Sequence, residues 1–211
     1  MAGPGRTTVC GDPSTLRARL AEAAGLRPSL VISWGLCGGL DPRLRPGDLI
    51  LGAEVVSHDG AVGTDKGVTS SLAQRLIDAG ARVVVERLAA ADAPVLTASA
   101  KAELRRAAGA AAVDMESLTA GRFALKRRIP FAILRAVSDP AERDLPPVVL
   151  KAVDSDGRIN AAALIGGLIR SPGQFAGLRS AALDSRAAFR ALKRCRGLFP
   201  GLLLGLGATD L

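Results

Sequence analysis

Short apolar, β-branched runs alternate with helix-like stretches along most of this chain, and that alternation constrains its fold more than any other feature. Residues 30–34 (Leu-Val-Ile-Ser-Trp) precede a glycine cluster and predict a buried strand. Residues 48–56 predict a second, 82–85 and 94–97 weaker ones, and 111–113 and 131–137 complete the set. Between them, the spacing predicts helices near 14–24, 69–79, 100–108 and 116–128, the first capped by Asp12 or Ser14 with Pro13 at an early helical position. Strands alternating with helices imply an α/β sheet covered on both faces. After Pro146 no β-rich run follows; 161–169 and 175–194 predict helices, separated by Ser171-Pro172-Gly173. On the second, Phe175, Leu178, Ala182, Phe189 and Leu192 fall on one arc with Arg179, Arg186, Arg190 and Lys193 beside them. With 211 residues and no internal repeat or long linker, one domain over 1–211 is expected, its end (about 146–211) helical and basic.

Composition narrows the chemistry. A single histidine, His58, argues against a Ser-His-Asp triad and a multi-histidine metal site, so no metal is expected. Cys10, Cys37 and Cys195 are odd in number and far apart, which suits reduced thiols in a cytoplasm. No apolar run reaches the ~18 residues that a membrane span needs. The net charge of +8 is uneven: residues 151–211 carry nine Lys/Arg against four Asp/Glu. Such an end is either a solvated face or a surface for an acidic partner such as the inner face of a membrane. With no tyrosine and few aromatics, a nucleic-acid platform is not expected.

Three segments could carry chemistry. Gly35-Leu36-Cys37-Gly38-Gly39 follows a strand, where glycines let backbone N–H groups approach an anion or a sugar oxygen. It lacks a P-loop lysine and a dinucleotide spacing, and a plain tight turn would explain it as well. Val113-Asp114-Met115-Glu116-Ser117 sets two carboxylates at a strand-to-helix switch, where open α/β sheets place ligands. A carboxylate there can accept two hydrogen bonds from a cis-diol, and Met115 offers a soft apolar contact; helix capping is the alternative. Ser138-Asp139-Pro140 closes the last strand, where a carboxyl in a partly dry site could keep its proton and act as a general acid; otherwise it is an Asp-Pro turn.

In this order the three segments resemble the nucleoside phosphorylase/nucleosidase superfamily, and methylthioadenosine/S-adenosylhomocysteine nucleosidases by motif. Residues 135–147 (RAVSDPAERDLPP), 170–174 (RSPGQ), and Gly39-Leu40-Asp41-Pro42 with Leu44-Arg45-Pro46-Gly47-Asp48 are similar to the hopanoid-associated phosphorylases. The resemblance implies a three-layer αβα fold with a central mixed sheet and an adenosine-type substrate, adenosylhopane in this branch. It implies no cofactor, with phosphate as a conceivable co-substrate, and a homo-oligomer. By motif, Asp139 supported by Ser138 would protonate purine N7. Glu116 would hold the ribose hydroxyls, Met115 would pack on the sugar, and Gly35, Cys37, Gly38 and Gly39 would face nucleophile and ribose. The family's opening strand carries an acidic residue into the site, whereas here Met1-Ala2-Gly3-Pro4-Gly5 falls near its end and only 7–10 is strand-like. The sheet is therefore expected to lack that strand, and a longer form to be the active one. Ser33-Trp34 stands where phosphorylases often carry an arginine, which brings the motif closer to hydrolases. The adenine-recognition segment near Thr97-Ala98-Ser99 is shortened. A methylthioadenosine/S-adenosylhomocysteine nucleosidase and an inactive nucleoside-binding protein are the competing readings.

Overall fold

The computed structural model describes residue 9 and residues 13–146 and 175–196. Helix α1 (Pro13–Ala23) and a 3-10 turn (Ala24–Leu26) lead into β1 (Val31–Gly39). Next come β2 (Leu49–Ser57), β3 (Gly60–Gly63), α2 (Lys66–Asp78), β4 (Val83–Ala90) and α3 (Ala98–Ala108). Strand β5 (Ala112–Asp114), α4 (Ser117–Arg127), β6 (Phe131–Asp139) and α5 (Phe175–Arg196) complete the described elements. The mixed α/β architecture is the one the alternation predicts. The expected helix at 161–169 and the opening segment apart from Val9 lie outside the described residues.

The sheet runs β3-β2-β4-β5-β1-β6, and β6 also pairs with β2. Strands β2, β4, β5, β1 and β6 therefore form a closed circuit of pairings, with β3 attached as a hairpin arm. The β1–β6, β2–β4 and β4–β5 ladders are parallel; β1–β5, β2–β3 and β2–β6 are antiparallel. Alternate residues of β1 and β6 face opposite sides, as a strand's period of two requires. Ile32, Trp34, Ala132, Leu134 and Ala136 pack with Leu72 and Leu76 of α2 and with Ala188, Ala191 and Leu192 of α5. Val31, Cys37, Phe131, Ile133 and Val137 point the other way, toward Ile50, Leu88 and Ala120 and Ala124 of α4. Leu49, Ile50 and Leu51 are successive and all buried, so both faces of β2 are covered there. Full burial of each such side chain stabilises the fold by about 1.5–3 kcal/mol.

Local chemistry sets the helix ends. Asp65 accepts from Val68 N at 2.9 Å, so α2 begins three residues before its predicted start. Thr97 caps α3 through Ala100 N, and Gly109 ends it at a φ of 59°. Residues 94–97 are not the expected strand: Thr97 is occupied by that cap, and Leu96 O takes Leu145 N at 2.7 Å. Strand β3 went unpredicted, although Asp59-Gly60 is a recognised hairpin signal. On α5 the predicted arc is only partly the buried face. Ala188, Ala191, Leu192 and Cys195 are buried, whereas Ala182 and Phe189 are exposed. Small residues bring the helix close to the sheet, and the larger Phe189 is left outside.

Gly52 lies directly against the buried side chains of Ile133 and Leu88. A Cβ there would sit 2.8 Å from both Cβ and Cδ1 of Ile133 and 3.0 Å from Leu88 Cδ1. Neither the Ile133 Cβ nor the paired backbone behind it can retreat. Gly52→Ala is expected to lower stability by about 1–3 kcal/mol in urea unfolding, the usual cost of overpacking; an unchanged midpoint would contradict this packing.

Candidate active site

The predicted glycine loop is in fact the second half of a strand: β1 runs through Gly39. The β1–β6 register shifts between Cys37 and Gly38 and sets Gly38 opposite Asp139. Gly38 also pairs with Val113 on β5. A bulge of this kind re-aims side chains at a strand end. A Cβ on Gly38 would lie 3.3 Å from both Asp139 Oδ2 and Val113 Cγ1. The bare backbone thus gives the Asp139 carboxyl its room.

At these converging ends lies a cleft of about 200 Å3. Cys37, Gly38, Met115, Glu116, Ser138 and Asp139 all line it, so six of the eight residues singled out from sequence meet in one place. Leu36, Pro94, Val95 and Leu145 add an apolar wall. Gly35 and Gly39 are not among the lining residues. Gly35 is held in mid-ladder opposite Arg135, and Gly39 packs on the Asp139 backbone, its Cβ position 3.0 Å from that carbonyl oxygen.

One side of the cleft is organised by Arg135. Its guanidinium is buried beneath the β5–α4 junction. Nε lies 2.6 Å from Asp114 Oδ2, and Nη1 lies 3.1 Å from Glu116 Oε2. Nη1 also donates to Leu36 O at 3.2 Å, and Nη2 to Ser33 Oγ at 2.6 Å and Ser117 Oγ at 3.1 Å. Ser117 Oγ in turn donates to Asp114, whose other oxygen accepts from Ser117 N at 3.3 Å. Asp114 therefore does the capping work that the sequence left open for this segment. Glu116 makes no side-chain cap bond and stays half-exposed in the cleft. Burial pushes its carboxyl above the ordinary glutamate range; Asp114 adds to this, while Arg135 opposes it.

The other side is built on Asp139, itself buried. Ser138 Oγ lies 2.7 Å from Asp139 Oδ1 and 3.1 Å from Cys37 O, so its single proton can serve either. Oδ2 accepts from Lys101 Nζ at 2.6 Å. Sequence reasoning anticipated a carboxyl in partly dry surroundings and missed this cation. The available cue was slight: Lys101 and Arg105 stand four apart on α3, on one face. Arg105 Nη2 lies 2.8 Å from Asp41 Oδ2, so one cation binds the last residue of β6 and the other a carboxylate just past β1. Hydrogen bonds from Arg43 hold the Asp41 carboxyl below its usual range.

Among the described residues, no group of three or more His, Cys, Asp or Glu is placed to hold a metal ion. Cys37 and Cys195 are free and buried, and burial pushes both thiols up, Cys195 to about 11.

Arg135 is the partner that two site carboxylates share. Arg135→Met would leave Asp114 without its buried counter-charge, and removing one member of such a pair costs about 3–5 kcal/mol. Urea unfolding should show that loss; a change under about 1 kcal/mol would mean that the cluster is not held this way.

Known proteins resemble this chain in sequence and in fold. The chain is 30% identical over 136 residues to the 5′-methylthioadenosine/S-adenosylhomocysteine nucleosidase of Glaesserella parasuis. That match covers 56% of this chain and 59% of the relative, so the chain spans less than two thirds of that protein's length. Among solved structures, the native futalosine hydrolase of Helicobacter pylori superposes with a TM-score of 0.62 at 15% identity, over 90% of this chain and 77% of that one. The Campylobacter jejuni 5′-methylthioadenosine/S-adenosylhomocysteine nucleosidase gives 0.60 at 16% identity, over 87% and 78%. At such identities the likeness is one of fold. The family model described as the phosphorylase superfamily matches residues 3–170, which take in every element from α1 to β6 and all the residues lining the cleft, and the chain belongs to that superfamily.

Proposed function

We propose that this protein hydrolyses the N-glycosidic bond of an adenosine-type nucleoside and releases adenine, with adenosylhopane as its substrate. The observation that carries the reading is the sharing of one cleft by Glu116 and Asp139, which come from different strand ends. Glycosidic cleavage builds positive charge on the sugar and negative charge on the base. An anion at one end and a proton donor at the other stabilise both developing charges. In this reading Glu116 accepts hydrogen bonds from the ribose hydroxyls and Met115 packs on the sugar. Asp139, steadied by Ser138, protonates purine N7 as the C1′–N9 bond breaks. Water attacks C1′, in keeping with Ser33-Trp34 in place of an arginine ahead of the glycines.

The choice of substrate rests on three features. Residues 135–147 and 170–174 are similar to the hopanoid-associated branch. The apolar wall of Leu36, Pro94, Val95 and Leu145 suits a nucleoside with an apolar group beyond the ribose. Helix α5 exposes Arg179, Arg186, Arg190, Lys193 and Arg194 together with Leu183 and Phe189, a composition that suits an anionic bilayer surface. It is tied toward the cleft by the Arg143–Asp184 ion pair. No helix among the described residues is long and apolar enough to cross a membrane. The second reading, a methylthioadenosine/S-adenosylhomocysteine nucleosidase, is favoured by the curated relative. Incubation with each nucleoside in parallel, with and without phosphate, followed by mass spectrometry of adenine and the sugar product, separates these readings. Ribose 1-phosphate chemistry in place of free sugar would overturn hydrolysis.

Asp139→Asn should cut adenine release more than tenfold, and Glu116→Gln should both raise KM and lower kcat. Full activity in either variant removes that residue from the mechanism. The raised Glu116 carboxyl gives a sign for pH. The anion exists only above its midpoint, so kcat/KM should fall as pH drops through a value above the ordinary ~4.3 of glutamate, and that limb should vanish in Glu116→Gln. Sedimentation with vesicles tests the surface: binding to anionic ones at low salt, weakened at high salt, is expected. Equal sedimentation with neutral vesicles would count against membrane contact.

A further inference from the structure

Lys101 has no solvent exposure. Its ammonium has three donors, and each has an acceptor: Asp139 Oδ2 at 2.6 Å, Pro140 O at 2.8 Å and Arg143 O at 3.0 Å. Two of those acceptors are neutral carbonyls, so Asp139 is the charge that this buried cation answers. A staple between α3 and the strand ends does not need it. Arg105 already reaches Asp41, and Ala98 N already donates to Asp144 Oδ1 at 2.7 Å. A buried ammonium is costly to desolvate, and an aliphatic side chain could fill the same space. Its position against a cleft carboxylate calls for another reason.

Resting on the reading of Asp139 as the acid, we propose that Lys101 is its positioning residue. Lys101 fixes the orientation of the carboxyl and stabilises the carboxylate that remains once the proton has left. The step balances. The Asp139 O–H bond breaks, an N7–H bond forms on the purine, and the electron pair of the C1′–N9 bond leaves with the base. Water supplies hydroxide to C1′, and its remaining proton returns through solvent to Asp139. The Lys101 ammonium donates hydrogen bonds and takes no part in the transfer itself. It lowers the energy of the ionised acid at the moment of transfer, where preorganised charge acts most strongly.

Several other polar groups surround Asp139. Cys37 on β1 is near but its buried thiol stays neutral. Ser138 offers a hydroxyl, and Asp114 and Glu116 across the cleft are engaged by Arg135. The Arg143 guanidinium is turned toward Asp184 on α5. Among the described residues Lys101 is thus the cation in direct contact with Asp139.

The test uses Lys101→Met, Lys101→Gln and Lys101→Arg in the full chain. The Asp139 carboxyl is followed by 13C NMR and identified by its disappearance in Asp139→Asn. That resonance should move from its wild-type position in the Met and Gln variants and return toward it with Arg. In the same variants kcat should drop more than tenfold with KM within about twofold of wild type, and Arg should restore much of the loss. A merely structural lysine would lower the melting temperature without a selective loss of kcat that Arg restores. Should the Met variant fail to fold, Gln, which still donates to the carbonyls, gives the same readout. An unmoved carboxyl in a folded neutral variant overturns the proposal even if the wild type releases adenine. A wild type inactive on every nucleoside overturns the proposed function, while the carboxyl resonance still decides whether Lys101 governs Asp139.

Discussion

The buried guanidinium of Arg135 is the interaction on which the rest of the site depends. It stands in the middle of β6 and ties three elements at once: Ser33 on β1, Asp114 on β5 and Ser117 at the start of α4. A single planar fork with five donors can do this; a lysine could not reach the same set. Because Asp114 is satisfied by Arg135 and by Ser117, it is consumed in structure. Glu116, two residues on, touches the same guanidinium with one oxygen and keeps the remainder of its carboxylate for the cleft. Neighbouring acids of nearly the same chemistry are thereby assigned different work by one cation.

Much of the fold was legible in the sequence because its signals are local. The β-branched runs became β1, β2, β5 and β6, and the helical spacings became α1 to α4. The errors came where local and tertiary signals conflict. Residues 94–97 are apolar enough for a strand, yet Thr97 is more valuable as the cap of α3, and Pro94 and Val95 are drawn to the cleft. Glycines at 35–39 suggested a loop, but an extended backbone flanked by two strands tolerates them well. The outward position of Phe189 follows from a helix that docks through alanines, which a hydrophobic arc does not reveal.

The site was legible to the extent that its residues sit at strand ends. Strand termini in an α/β sheet are where polar side chains can leave the core, so Glu116, Ser138 and Asp139 announce themselves. Lys101 did not. A lysine in an alanine-rich helix looks like a solvated residue, and only the packing of α3 against the turn after β6 reveals it as buried. Likewise, nothing in the spacing of Arg135 separates a buried hub from an exposed arginine until both of its strand partners are known. Charge hidden by tertiary structure is the part of an active site that one-dimensional patterns convey least.

Strand β6 is paired along both edges, with β1 on one side and with β2 over 134–136 on the other. A strand gripped in this way cannot slide by a residue without tearing two ladders, so the height of Asp139 above the sheet is set by the whole ring. The cleft therefore has one wall set by the ladders and one built from segments outside them. Those segments, 91–97 and 140–146, are joined by the Leu145–Leu96 backbone bond. Exchange of residues on that seam would reshape the cleft while the Asp139 carboxyl stays where the ring fixes it.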